Sequence, residues 1–306
     1  MKTQKLGTTS LTIPRVAIGC MRINSMSQPD IRTFIETAME GGANFFDHAD
    51  IYGQGSCEEL FAKSISMNPR VRETMILQSK CAIRPSMSYD FSKEYILSSV
   101  DGILQRLNTE YLDVLLLHRP DALMEPEEVA QAFDELESAG KVRHFGVSNH
   151  NPMQIELLNK WLNQPIAANQ MQLSITNATM ISQGIHVNML DDRGINRDGS
   201  VLDYCRLKDI TIQPWSPFQY GFFEGVFVDN PKFPELNRVL DTIAANHGVS
   251  KTTLSLAWIL RHPAKMQPIT GTTSVKRLKD CLAAPDVNLS REEWYQIYMA
   301  AGNILP

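Results

Sequence analysis

Four side chains on three successive stretches of this 306-residue chain have the types needed to hand over a proton. Asp47 and Tyr52 lie in Asn44-Phe45-Phe46-Asp47-His48-Ala49-Asp50-Ile51-Tyr52-Gly53, Lys80 follows one apolar run and His118 another. A tyrosine is a poor acid at neutral pH because its phenol pKa is about 10. A neighbouring lysine ammonium favours the phenolate and is expected to bring that pKa down, while an aspartate keeps the lysine charged. A histidine opposite can donate a hydrogen bond to a carbonyl oxygen and fix its orientation. The set suits protonation of an oxyanion as hydride arrives at a carbonyl carbon. Spacing alone proves little: with 17 Asp and 8 Tyr, chance predicts about 0.4 pairs five residues apart, and Asp90 with Tyr95 repeats the interval. Taken singly, Asp47 with Lys80 reads as a plain ion pair, His118 as a structural histidine and Tyr52 as a loop aromatic. Their company at successive strand ends reverses those readings.

The elements that must position them alternate along the whole chain. Residues 2–13 read as a hairpin turned at Gly7. Strands are expected at 16–20, 44–46, 75–77 leading to Lys80, 113–117, 144–147, 166–171, 211–214 and 266–269. Helical spacing recurs at 31–40, 58–67, 94–107, 129–138, 153–161, 236–246, 252–261, 274–283 and 292–300. Residues 184–200 and 220–231 read as long loops. The run Asp113-Val114-Leu115-Leu116-Leu117 is apolar on consecutive positions, so it must be covered on both faces, as in a parallel sheet. Eight strands alternating with helices predict a single-domain (β/α)8 TIM barrel over 1–306, with an N-terminal β-hairpin and an extra C-terminal helix. An open doubly wound sheet fits less well, because no G-x-G-x-x-G follows the first strand. No Walker lysine loop, H-E-x-x-H or zinc-ligand spacing occurs, so no metal is expected.

Composition excludes several partners. A net charge of −5 and 43% hydrophobic content give no electrostatic reason to expect nucleic acid or an anionic membrane surface, and leave a small molecule as the default ligand. Five scattered cysteines without a Cys-x-x-Cys fit reduced packing thiols in the cytoplasm. No signal-peptide pattern or membrane-length apolar run is evident.

In a barrel of this kind, strand C-termini converge on one face whatever their sequence separation. Those ends carry Asp47 with Tyr52, then Lys80, His118 with Arg119, Ser148-Asn149, Asn169-Gln170 and Trp215-Ser216. With them the chain resembles the aldo-keto reductase superfamily, in a bacterial branch of oxidoreductases, over essentially its whole length. The resemblance rests on Gly19-Cys20-Met21, the stretch from Asp47 to Gly53 with Glu58, and Ser79-Lys80. It extends through the segments from Asp113 to Asp121 and from Gly140 to Asn149, then Asn169-Gln170, Trp215-Ser216-Pro217 and the stretch from Gly271 to Arg277.

The resemblance implies a reductase of aldehydes and ketones that uses NADPH, with NADH less favoured. Tyr52 matches the general acid, Lys80 and Asp47 its partners, and His118 the residue that orients the carbonyl. Ser148, Asn149 and Gln170 match holders of the nicotinamide carboxamide, and Trp215 the aromatic on which that ring stacks. Gly19, Cys20 and Met21 match the first-strand side of the cofactor site, and Ser216 and Phe218 the backbone around the pyrophosphate. Thr272 and Arg277 match groups on the adenosine 2′-phosphate, with Ser274 nearby. Many members carry lysine where this chain has Gly271 and asparagine where it has Cys281; Asp280 keeps the acidic position before it. Arg277 favours NADPH, since a guanidinium fork suits a phosphate dianion.

For the substrate, Arg22, Ile51, Arg84, Met87, Arg119, Trp215, Phe218 and Tyr220 are placed to line the mouth, and the loops at 184–200 and 218–231 to set specificity. The aromatic and Met residues there suit an apolar carbonyl, and Arg84 or Arg119 would recruit an acidic one. Two alternatives stay open: a cofactor-binding sensor or regulatory subunit with negligible turnover, and an aldolase with Lys80 as Schiff-base nucleophile. The sequence leaves oligomeric state open, a monomer being compatible.

Overall fold

A computed structural model describes residues 1–85 and 88–306. Eight parallel strands form one sheet in the spatial order Thr211–Trp215, Ile166–Gln172, Val142–Ser148, Leu112–Leu117, Ile76–Cys81, Phe45–Asp47, Ala17–Gly19, Ile269–Thr270. The two edges meet where the Gln267 N–H donates to the Ile212 carbonyl at 3.0 Å, which nearly closes the sheet into the expected (β/α)8 barrel. Helices between the strands cover its outside. The extra C-terminal helix, Arg291–Ala300, buries Trp294, Ile297 and Tyr298.

Side chains in a strand alternate between the two faces, so one residue in two points into the barrel. Leu77, Leu115 and Leu117 face the helices. Phe45, Ile76, Val114, Leu116 and Ala168 pack together within the barrel. Burying each large apolar side chain contributes roughly 1.5–3 kcal/mol. Two residues further along the same inward faces come Asp47 after Phe45, Gln78 after Ile76, His118 after Leu116 and Gln170 after Ala168, and two beyond Gln78 comes Lys80. The apolar interior thus gives way to a polar mouth by the period of the strand alone.

The N-terminal hairpin, Thr3–Lys5 with Thr12–Pro14, plugs the opposite end with Leu6 and Ile13. Its turn at Gly7 has φ 53°, and a Cβ there would stand 2.6 Å from the Ala167 carbonyl oxygen, so glycine is required twice over.

Several elements depart from the sequence reading. The stretch read as loop at 184–200 is entered by a helix, Thr179–Ile185, contains the short turn Asp192–Gly194, and leads directly into a second helix, Val201–Leu207. Two-stranded hairpins lie at Ile83–Arg84 with Ser88–Tyr89, and at Gln219–Tyr220 with Gly225–Val226. The last barrel strand is Ile269–Thr270, shorter and later than expected. No helix among the described residues is long and apolar enough to cross a membrane.

Candidate active site

A cleft of about 820 Å³ opens at the strand C-termini and runs from Asp47, Tyr52 and His118 at one end to Arg277 and Cys281 at the other. At its floor the Lys80 ammonium is fully buried and uses all three donors: to Asp47 Oδ2 at 2.8 Å, to the His48 carbonyl at 2.8 Å and to Tyr52 Oη at 3.1 Å. Burial pulls the Lys80 pKa down, but the Asp47 charge, aided by Tyr52 and the hydrogen bonds to both, carries it above its ordinary value. Lys80 therefore stays an ammonium.

Tyr52 overturns one expectation. Its pKa lies above the ordinary phenol value, because burial outweighs the opposing Lys80 charge. The group is thereby kept protonated at neutral pH. An ammonium can only donate, so the Tyr52 hydroxyl proton is not engaged by Lys80 and is free to point elsewhere. The His118 ring stands edge-on to Tyr52, with centroids 6.0 Å apart. Burial, then the Lys80 and Arg119 charges, hold His118 well below its ordinary pKa, so it is a neutral imidazole.

A layer of buried amides supports this floor from below. Gln78 donates to Asp47 Oδ1 at 2.6 Å, and Gln170 donates to the same oxygen at 3.1 Å. Gln78 and Gln213 exchange hydrogen bonds, Nε2 to Oε1 in both directions, at 3.0 and 3.1 Å. Gln213 also donates to Gln267, which ends the chain on the Pro14 carbonyl. Acceptor-only groups at both ends fix every amide orientation. Sequence reading missed this layer, although a glutamine two residues before Lys80 on the same face was its signal.

Along the rest of the cleft, Ser148 Oγ donates to the Gln170 carbonyl and accepts from Asn149 Nδ2 at 2.7 Å, while Trp215 Nε1 donates to Asn149 Oδ1 at 3.1 Å. Asn149 and Ser216 hold left-handed backbones, φ 60° and 52°, which turn the chain sharply at two strand ends. Gly19, Met21, Ser216, Phe218, Gly271 and Thr272 also line the cleft. A Cβ on Gly19 would meet Ile269 at 2.9 Å, so the wall is closed there to anything larger. Arg277 Nε donates to Thr272 Oγ1 at 3.1 Å.

Other expected site residues sit elsewhere. Cys20 is buried behind the wall, with its N–H on the Asp47 carbonyl. Ser274 caps the helix Val275–Ala283 through the Arg277 N–H. Asp280 accepts the Thr253 hydroxyl on its backbone carbonyl and is not among the residues that line the cleft. Arg84 is tied to Asp90 and lies over the Tyr95 ring, and Tyr220 packs on Phe233 beneath Lys232; neither lines the cleft. Met87 lies outside the described residues. Arg22, Ile51 and Arg119 line the cleft as expected, and Arg22 also donates to the Gly271 carbonyl at 2.6 Å. No residue of 184–200 lines this cleft among those described. The loop at 218–231 does line it, through Phe223, Val228 and Asp229, as expected, whereas Ile83 and Thr252 line it and were not anticipated.

The sequence profile of the Aldo/keto reductase family matches residues 15–301, and the chain belongs to that family. The oxidoreductase YcsN of Bacillus subtilis is 36% identical over 303 residues, 95% of each chain. A 6-dehydroglucose reductase of Novosphingobium aromaticivorans is 32% identical over 312 residues, 99% of this chain and 97% of that one. Among solved structures, the thermostable aldo-keto reductase Tm1743, in complex with the inhibitor epalrestat, superposes with a TM-score of 0.78 at 27% identity, covering 98% of this chain and all of that one. The chain is thus an oxidoreductase of the carbonyl-reducing class, whose chemistry uses a nicotinamide cofactor and a small-molecule carbonyl substrate. The cleft fits such a cofactor: it is long, amide-lined at the Tyr52 end, walled by an indole, and cationic at the far end.

Proposed function

We propose that this protein reduces aldehydes or ketones to alcohols with NADPH, and that Tyr52 is the general acid. The observation that carries the reading is the Lys80 ammonium, which touches Asp47 and Tyr52 at once while Tyr52 and His118 face the cleft. The reduced nicotinamide, when bound, supplies hydride. The neutral His118 offers a hydrogen bond to the carbonyl oxygen. Tyr52 gives that oxygen its proton as negative charge develops there. The phenolate left behind faces an ammonium 3.1 Å away, already in place and shielded from water, so little reorganisation is needed. A Schiff-base role for Lys80 would need a neutral amine, and its raised pKa argues against one.

Ser148, Asn149 and Gln170 suit the carboxamide, and Trp215 the nicotinamide face. Thr272 and Arg277, at the N-terminus of the helix Val275–Ala283, suit a 2′-phosphate, which both the guanidinium and the helix dipole would favour. Gly271 brings no cation, but Arg22 bonds to its carbonyl and delivers one to the same spot. Tryptophan fluorescence titrated with NADPH and NADH, followed by NADPH consumption with 4-nitrobenzaldehyde, tests the reading. Quenching with turnover is expected, and Arg277→Ala should weaken NADPH at least about tenfold more than NADH. Equal losses would remove the basis for NADPH. Tight binding without turnover across a broad carbonyl panel would put the sensor reading first.

A further inference from the structure

Among the described residues, seven of the sixteen arginines have found an anion, six others donate to a carbonyl or hydroxyl oxygen, and Arg70 and Arg291 stand exposed in water. Arg72, Arg84, Arg106, Arg143, Arg193, Arg206 and Arg238 each pair with a carboxylate. Arg119 is different. It follows His118 directly, is partly buried and lines the cleft, yet among the described residues no carboxylate lies within 4.0 Å of its guanidinium and no hydrogen bond engages it. The Trp215 ring centroid lies 5.7 Å from its guanidinium carbon. A cation half withdrawn from water and facing a π-surface has lost hydration without gaining a partner.

The two carboxylates in the cleft wall do not supply that partner. Asp47 is bound by Lys80, and Asp229 pairs with Lys251. Arg22 and Arg277 stand at the Gly271–Thr272 end and serve the cofactor in the proposed reading. Arg119 alone stands beside the carbonyl-orienting group. Around it the mouth is walled by Ile51, Ile83, Trp215 and Phe223, which suit an apolar or aryl body. Deepening the reductase reading above, we propose that the substrate is a carbonyl compound bearing a carboxylate, which the Arg119 guanidinium receives while Tyr52 and His118 hold the carbonyl. A planar fork of N–H donors matches a carboxylate in two parallel hydrogen bonds, and partial burial strengthens them. The carbonyl carbon takes the hydride, the oxygen takes the Tyr52 proton, and the product is a hydroxy acid whose carboxylate remains on Arg119.

The test compares 4-carboxybenzaldehyde with its neutral isostere 4-carbamoylbenzaldehyde, using the NADPH-loaded enzyme. The wild-type protein should favour the acid by about 10- to 100-fold in kcat/KM, chiefly through KM. Arg119→Ala should lower kcat/KM for the acid at least about tenfold more than for the amide, with partial recovery in Arg119→Lys. Equal kcat/KM for acid and amide in the wild type would overturn the proposal, as would equal losses for both in Arg119→Ala. In either case turnover of the amide leaves the reductase reading standing. Failure to consume either aldehyde, in a protein that turns over 4-nitrobenzaldehyde, would likewise overturn the proposal and leave the reductase reading standing.

Discussion

Two ion pairs of this barrel are equally hidden from water and do different things. Arg72 meets Asp113 at 2.6 Å with side-chain exposures of 3% and 5%; Lys80 meets Asp47 at 2.8 Å with 0% and 3%. Burial therefore does not distinguish them. What differs is where the remaining hydrogen bonds end. Arg72 bonds to Thr109, to the Tyr111 and Met75 carbonyls, and stacks on the Tyr111 ring, while Asp113 takes the Leu77 N–H and Arg143. Every contact closes on the fold itself. Lys80 spends its last donor on the Tyr52 hydroxyl, which opens on the cleft. A buried pair becomes a reactive one when one of its hydrogen bonds terminates on a titratable group that a substrate can reach.

The largest expected effect breaks the second pair at that terminus. Tyr52→Phe keeps the ring and removes the only group that carries a proton out of the network. It should cut kcat/KM for carbonyl reduction by about 10³-fold or more, with NADPH affinity nearly intact. Turnover close to wild type in that variant would show that Tyr52 is not the acid.

The next effect is on stability and comes from the first pair. Arg72→Met leaves Asp113 buried with only part of its donors, which costs about 3–5 kcal/mol and a fall in Tm of roughly 5–15 °C. Steady-state kinetics of the folded variant at 25 °C should be those of the wild type. A loss of kcat without a loss of Tm would mean that the two pairs are coupled rather than separate.

The reactive pair was legible in the chain and the structural one was not. Asp47, Lys80 and His118 each follow an apolar strand, and inward-pointing positions at strand ends meet whatever their separation. Arg72 and Asp113 pair across 41 residues through a short helix, Pro69–Arg72, whose four residues show no periodicity to read. The same limit hid the helix Val201–Leu207, where Val201, Leu202 and Cys205 mark a single apolar turn inside a polar stretch. The Gly271 partner of Arg22, 249 positions away, was out of reach of the sequence for the same reason. The direction of the Tyr52 shift was misread for another reason: adjacency to Lys80 is visible in the motif, but the desolvation that outweighs it belongs to the folded cleft.

The smallest effect sharpens the comparison with a carboxylate that has no dedicated cation. Asp50 lies just past Asp47, with its N–H on the Lys80 carbonyl and its Oδ1 buried without a partner among the described residues. The nearby Arg106 is taken by Glu58 at 2.7 Å. Burial, then the Glu58 charge, pushes the Asp50 pKa from 3.8 up to about 7. Between about pH 4 and 7 the folded protein therefore holds a proton that the unfolded chain has released, so Asp50 lowers stability progressively as pH rises through that window. Asp50→Asn removes the charge and keeps the shape. Its gain over wild type should be small below pH 4, grow through the window, and level off above pH 7 at roughly 1–3 kcal/mol, allowing for solvent screening. Urea unfolding of both proteins at pH 4, 5.5 and 8 reads the trend directly. A gain that does not change with pH would mean that Asp50 ionises as freely in the folded protein as in the unfolded chain, and that an unpartnered carboxylate is tolerated beside the reactive pair without cost.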